Sequence, residues 1–319
     1  MLEQIEKKIL SGGSLSNEEA LYITTISGHD ILKLFTSANK IRNHFKGKRV
    51  GLCSIVNAKS GACSEDCSFC AQSSKSRAEI NVYPLKNRDF ILERALKAKR
   101  AGVHRFSIVT SGRKVSGKDL HSISEMISEI KTIGLVPCAS LGMLNESDLE
   151  LLKSAGLNRY HHNLETSKRF FPSICTTHTY ADKLRTIYYV KNKGLSVCSG
   201  GIFGMGETWQ DRIDMAFLLK DLDVESIPLN FFIPIKGTVL ENMDFLHPFE
   251  ALKIVSLYRF ILPQKEIRIC GGRTQILNEL NPMIFIAGAD SLLTGDYLTT
   301  PGISYEEDLN LIKTSGLSV

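Results

Sequence analysis

Four junctions in the chain share one form: a charged amphipathic stretch, a glycine, an apolar residue and then a short apolar run. They are Ala101-Gly102-Val103, Ile133-Gly134-Leu135, Ala155-Gly156-Leu157 and Lys193-Gly194-Leu195. Glycine reaches the left-handed conformation that ends a helix and turns the chain, so each junction predicts a helix that feeds a strand. Strands are expected to begin near Gly51, His104, Leu135, Asn158, Leu195, Ser226, Glu266 and Asp290, most of them separated by helical stretches. Eight strands alternating with helices predict an α/β fold, a (β/α)8 TIM-type barrel; an open doubly wound sheet is the alternative. The first 46 residues read as helical, and Ser16-Asn17-Glu18-Glu19 suits a helix start. The expected organisation is an N-terminal helical extension, 1–46, and a barrel, 47–319, with no linker or low-complexity segment between further domains.

Barrels of this kind place their chemistry at the C-terminal ends of the strands. The first strand, Gly51 to Val56, runs into a loop that holds Cys63-x3-Cys67-x2-Cys70. Three thiolates this close can hold three irons of a cubane cluster and leave the fourth iron open to a small molecule. Zinc is the rival occupant, but a structural zinc site takes four ligands in a closed tetrahedron. The nearest downstream histidine is His104, well away from the loop. A second glycine-rich stretch, Gly200-Gly201-Ile202-Phe203-Gly204-Met205-Gly206-Glu207, follows the strand Leu195 to Cys198. Its glycines allow close backbone approach to a ligand, although a plain turn is the commoner use of such a run.

At 319 residues and 43% hydrophobic, the chain is long enough for one barrel-sized core. Its net charge of +5 is spread along the sequence without a basic block, so neither nucleic acid nor membrane is an expected partner. The N-terminus does not read as a signal peptide and no apolar run reaches membrane-spanning length. A cytoplasmic location is therefore expected, and there the eight cysteines read as metal ligands rather than disulfides.

The three-cysteine loop, with Phe69 just before its last cysteine, resembles the radical S-adenosylmethionine superfamily. Further stretches resemble the biotin synthase family within it. They are Gly61 to Cys67, His162-Asn163-Leu164-Glu165-Thr166-Ser167, Val197-Cys198-Ser199-Gly200-Gly201-Ile202, Lys236-Gly237-Thr238, Arg268-Ile269-Cys270-Gly271-Gly272-Arg273 and Leu298-Thr299-Thr300-Pro301. These occur in the family's order from about residue 50 to the end. The resemblance implies a 4Fe-4S cluster on Cys63, Cys67 and Cys70 that binds S-adenosylmethionine at its open iron. It implies reductive cleavage to a 5′-deoxyadenosyl radical and removal of hydrogen from two unactivated carbons of dethiobiotin. It also implies an auxiliary iron–sulfur cluster that supplies the sulfur, an electron donor such as flavodoxin or ferredoxin, and a homodimer. Unactivated C–H bonds offer no proton for a base, so a radical cofactor must carry such chemistry.

Residue by residue, the resemblance puts Asn163 and Glu165 at the adenosyl ribose, Phe69 near the adenine, and Gly206 and Glu207 at the methionine end. Lys183 takes the place of an arginine near the carboxylate of S-adenosylmethionine and lacks its bidentate fork. Asn230 and His161 match substrate-facing positions. Asn163 and Glu165, two residues apart at a strand end, are expected to face the same side.

The chain departs from the family pattern at the auxiliary cluster, which in the better-known form uses three cysteines and an arginine. Cys138, Cys198 and Arg268 match three of these, while Ser107 stands where the third cysteine is expected. Serine is a poor replacement for a soft thiolate. Cys53 on the first strand and Cys270, two residues after Arg268, are extra thiols. The expectation is an auxiliary cluster on Cys138, Cys198, Cys53 and Cys270, a 4Fe type in place of the usual 2Fe-2S, with Arg268 as a ligand or behind the ligands. The bland alternative is that this cluster is lost and the extra cysteines are small buried residues. Cys175 reads as structural, and His121, His178 and His247 as solvated or packed. Competing functions are a related radical enzyme acting on another small molecule, such as a cofactor maturase or amino-acid mutase, and a non-catalytic iron–sulfur protein. The last has little use for a glycine stretch or a ribose-binding pair.

Overall fold

The computed structural model describes residues 1–298 and 302–319. The strands are β1 Gly51–Lys59, β2 Arg105–Thr110, β3 Val136–Ser140, β4 Arg159–His161, β5 Ser196–Cys198, β6 Gly201–Phe203, β7 Ser226–Phe231, β8 Glu266–Ile269 and β9 Ser291–Leu293. All pair in parallel, in the order β5-β4-β3-β2-β1-β9-β8-β7-β6. A further pairing, Cys198 with Ser226, joins β5 to β7 and closes the ring. The sheet is therefore a closed barrel of eight strands, with β5 and β6 as two halves of the fifth, and the open-sheet alternative is excluded.

The expected strand starts lie at or within one residue of those observed. The four junction glycines all take positive φ: 78° at Gly102, 90° at Gly134, 105° at Gly156 and 66° at Gly194. Helix starts are fixed by reciprocal side-chain caps at Ser16–Glu19, Asn145–Asp148, Thr179–Asp182, Thr208–Asp211 and Ser304–Glu307, each satisfying two otherwise unpaired backbone donors.

The glycine stretch after Cys198 is not simply a turn, because the strand resumes at Gly201. The break at Ser199-Gly200 arises across the sheet. A Cβ at position 200 would lie 2.0 Å from the carbonyl oxygen of Pro228, and proline has no N–H to offer the ladder. The Gly200 carbonyl is instead taken by the Glu165 amide at 3.1 Å.

Helices Leu2–Leu10, Asn17–Thr25 and Asp30–Lys46 pack outside the barrel, mainly against Trp209–Asp221 and Pro248–Ile261. Their buried Ile9, Leu34 and Phe35 join the hydrophobic core that surrounds the strands. No helix among the described residues is long and apolar enough to cross a membrane.

Candidate active site

Beyond Lys59 the chain turns into the cysteine loop through Gly61 and Ala62, with φ of 73° and 51°. The Gln72 side chain accepts from the Gly61 amide at 3.2 Å, and the Ser111 hydroxyl donates to the Gly61 carbonyl at 2.7 Å. Backbone bonds join Cys63 N to Gln72 O at 3.1 Å, Ser74 N to Cys63 O at 2.8 Å and Cys70 N to Cys67 O at 3.0 Å. Held this way, half-buried Cys63, Cys67 and Cys70 all border one cavity of about 320 Å³. The donor set fits a cluster with three thiolate ligands and one open iron.

The facing wall comes from the loop after β4. The Asn163 side-chain oxygen accepts from Gly200 N at 3.3 Å. Glu165 has φ 73°, a conformation disfavoured for a residue with a Cβ. Its carboxyl lies 3.7 Å from the Lys183 ammonium, and its Oε2 is buried with no hydrogen-bond partner. Burial pushes the Glu165 carboxyl upward, against the pull of Lys183. A buried acceptor without a partner is costly, and ribose hydroxyls would satisfy it. Asn163 and Glu165 do share the cavity, but not by strand alternation. The strand ends at His161, and the loop and its positive φ bring them together.

Deeper in the barrel the lining becomes ionic and sulfur-rich. Cys53, Cys138, Cys198 and Cys270 are all buried. In register, Cys53 lies beside Arg105, Cys138 beside Ser107 and Arg159, and Cys198 beside His161 and Ser226. Arg268 donates to Cys198 Sγ at 3.6 Å and to Ser291 Oγ at 3.2 Å, and it pairs with Glu266. Arg159 reaches Glu266 at 3.2 Å, and Arg105 lies 4.0 Å from Cys138 Sγ. Burial opposes ionisation of Glu266, but Arg268 and Arg159 outweigh it and hold the carboxyl well below its usual range. Burial pushes the Cys53 thiol up to about 12, with Arg268 pulling the other way. Arg159 and Arg268 thus share one carboxylate and Arg105 lies at Cys138, a cationic setting suited to an anionic group, although among the described residues no three of the four thiols fall within 4.8 Å of one another. Ser107 Oγ and His161 Nε2 are buried there without partners. Burial, then Arg268, holds His161 well below its usual pKa and hence neutral.

Residues 58–219 match the Radical SAM superfamily, and residues 228–318 match the Biotin and Thiamin Synthesis associated domain. The biotin synthase of Thermodesulfovibrio yellowstonii is 54% identical over 289 residues, covering 91% of each chain. That of Heliobacterium modesticaldum is 48% identical over 320 residues, covering 100% of this chain and 98% of the relative. The chain belongs to the biotin synthase family. It is a radical S-adenosylmethionine enzyme, of a superfamily that uses a 4Fe-4S cluster with that cofactor. Among solved structures, methylornithine synthase superposes with a TM-score of 0.87 at 21% identity, over 98% of this chain and 96% of its own. The [FeFe]-hydrogenase maturase HydG of Carboxydothermus hydrogenoformans gives 0.84 at 18% identity, over 99% and 78%. These likenesses show the shared barrel.

Placed in a biotin synthase barrel, the predicted site residues divide. Cys63, Cys67, Cys70, Phe69, Asn163, Glu165, Lys183, His161, Asn230, Arg268 and Cys270 border the cavity. Cys53, Cys138, Cys198, Gly206 and Glu207 do not. Buried Glu207 accepts from Gly204 N and Met205 N, both at 2.9 Å, and from Arg212 Nε at 2.8 Å, so it fixes the turn before the next helix instead. Asn230 already has backbone partners: its Nδ2 donates to Gly201 O at 3.2 Å and its Oδ1 accepts from Gly271 N at 3.1 Å. Cys175 and His178 were expected to be merely structural or packed. Both are buried and packed, and they lie against the cysteine loop, with Cys175 Sγ 3.9 Å from Cys67 Sγ and His178 Nδ1 2.5 Å from Glu65 Oε2. His121 bonds the Gly117 carbonyl of its own helix, and His247 caps a helix through Phe249 N. Of the motif Leu298-Thr299-Thr300-Pro301, the last three residues lie outside the described residues. Sequence reasoning missed Glu65, Gln72 and His162 on the cavity wall; the doublet His161-His162 was the one available signal for the last.

Proposed function

We propose that the protein closes the thiolane ring of biotin by inserting sulfur between two unactivated carbons of dethiobiotin. The observation that carries this reading is one cavity bordered both by the three loop cysteines and, from the barrel interior, by Arg268 and Cys270. Bound to Cys63, Cys67 and Cys70, the cluster with S-adenosylmethionine supplies a carbon-centred radical able to remove such hydrogens. The chain's own residues bind, orient and exclude water. Glu165 and Asn163 accept from the ribose hydroxyls, and Lys183 balances the cofactor's carboxylate while sitting beside Glu165. Phe69 covers the adenine. His161, neutral and with an unpartnered ring nitrogen, hydrogen-bonds the substrate. Asn230, tied to Gly201 and Gly271, retains one amide hydrogen for the ureido ring. Gly206 and Glu207 shape the turn near the methionine end.

Below them, Cys53, Cys138, Cys198 and Cys270 hold an auxiliary 4Fe-type cluster as the sulfur store. Arg268, already bonded to Cys198, Ser291 and Glu266, stands behind the ligands as a hydrogen-bond donor. The excess of guanidinium over carboxylate supports this reading. A flavodoxin- or ferredoxin-type donor, a homodimer and a cytoplasmic setting complete it on family membership alone. So does the division into an extension, 1–46, and a barrel, 47–319.

Two measurements test it. Reduced protein with S-adenosylmethionine and dethiobiotin under anaerobic conditions should give biotin, with 5′-deoxyadenosine in roughly twofold excess because two C–H bonds are broken. Cleavage without biotin would remove the substrate assignment, and no cleavage would remove the radical chemistry as well. For the lower cluster, iron and sulfide are counted on the Cys63→Ala/Cys67→Ala/Cys70→Ala protein. Retained iron supports the auxiliary site, and an iron-free protein excludes it.

A further inference from the structure

The segment after the short helix Phe171–Ser173 brings a second thiol and an imidazole to the back of the cysteine loop. Cys175 Sγ lies 3.9 Å from Cys67 Sγ, 3.3 Å from His178 Nδ1 and 3.9 Å from His178 Nε2. One ligand atom from each of Cys67, Cys175 and His178 falls within 4.8 Å of the others. Cys175 and His178 are buried.

The sulfur–sulfur separation matches the edge of a metal tetrahedron, and the Cys175 Sγ–His178 Nε2 separation is a few tenths of an ångström longer than one. With metal–sulfur bonds near 2.3 Å and metal–nitrogen bonds near 2.0–2.1 Å, sulfur–sulfur edges are about 3.8 Å and sulfur–nitrogen edges about 3.5 Å. Glu65 supplies the orienting partner. Its Oε2 lies 2.5 Å from His178 Nδ1, which fixes the proton on Nδ1 and leaves Nε2 as the ligand, the carboxylate–histidine–metal arrangement. Asp66 Oδ1, 3.3 Å from Cys175 Sγ, is already taken by the amides of Thr176 and Thr177, so the protein offers three ligands. Two thiolates and an imidazole favour a thiophilic borderline cation such as zinc or ferrous iron over magnesium or calcium.

We propose that, before the radical cluster is built, Cys67, Cys175 and His178 bind one such divalent cation. The site itself does not depend on the radical-enzyme reading. Its consequence does: Cys67 cannot serve this ion and the cluster alike, so occupancy of the one excludes the other. The bound ion is then either the first iron delivered or, when it is zinc, a block to cluster assembly.

Cobalt(II) is the probe. Iron-free Cys63→Ser/Cys70→Ser protein keeps Cys67 and every barrel cysteine. It is titrated with cobalt beside the same protein carrying Cys175→Ala, and again beside one carrying His178→Gln. The expected result is one fewer tightly bound cobalt in each added variant. Its thiolate-to-cobalt charge-transfer and tetrahedral ligand-field bands should disappear, with affinity falling by more than the roughly 10–100-fold typical of losing an outer-sphere partner. Far-ultraviolet circular dichroism and Tm establish that each variant is folded. Equal stoichiometry and an unchanged spectrum in the folded variants would overturn the proposal, as would no cobalt bound outside the barrel in the parent. Because this readout is made without cluster or turnover, its failure is distinguishable from failure of the biotin assignment.

Discussion

At the scale of single residues, Glu165 concentrates the functional strain of the site. A non-glycine residue at φ 73° costs about 1–2 kcal/mol, and strain of this kind persists where the surroundings over-determine it. The return is a buried carboxylate with one oxygen unspent. Glu165→Ala should keep the fold and weaken S-adenosylmethionine binding roughly 10–100-fold, as expected for losing hydrogen bonds to a charged acceptor. Calorimetric titration of the cluster-loaded protein checks this, and an unchanged Kd would detach Glu165 from the ribose. Residue roles were legible in the sequence where they depend on local spacing. Cys63, Cys67 and Cys70 need only eight consecutive positions to be understood. The buried partner of His178, Glu65, lies 113 residues away, and no local pattern encodes that pairing.

At the scale of elements, close backbone approaches constrain the strand ends more than hydrophobicity does. A Cβ on Gly272 would sit 1.9 Å from the carbonyl oxygen of Phe231, at a φ of 80° that already disfavours a side chain. Gly272→Ala should therefore destabilise the fold by at least about 2 kcal/mol, read as a lower urea midpoint. Helix caps respond to acid. Hydrogen bonds from the Thr179 backbone and hydroxyl, at the start of helix Tyr180–Asn192, lower Asp182 from 3.8 to about 2. A carboxylate with a lowered folded pKa contributes stability above its unfolded value and loses it as pH falls through the folded one. The cap should thus loosen between about pH 4 and pH 2, seen as a carboxyl titration by NMR that is absent in Asp182→Asn. Glycine junctions made the strand starts legible, but the break in the fifth strand was not. That break is imposed by Pro228 on the neighbouring strand, and a proline inside an apolar run does not announce which residue it will face.

For the whole molecule, the barrel floor is unbalanced without its proposed contents. Arg159 and Arg268 share Glu266 while half-buried Arg105 reaches Cys138, and uncompensated buried charge is destabilising. Removing iron with a chelator should lower Tm by several degrees, since a group that binds only the folded state stabilises it. Equal Tm before and after chelation would mean that the floor takes no cluster. Closure of the eight strands was predictable from their alternation with helices, whereas this charge imbalance was not, because its members come from β2, β4 and β8 and meet only once the ring has closed. The two cysteine sets also differ in what carries them. The upper three sit half-buried on a loop, while the lower four lie within or at the ends of strands and are at most 4% exposed. Air should consequently erode the centres in sequence: the absorbance and paramagnetic signal of the mouth fade first, and the iron of the floor outlasts them until the barrel itself opens.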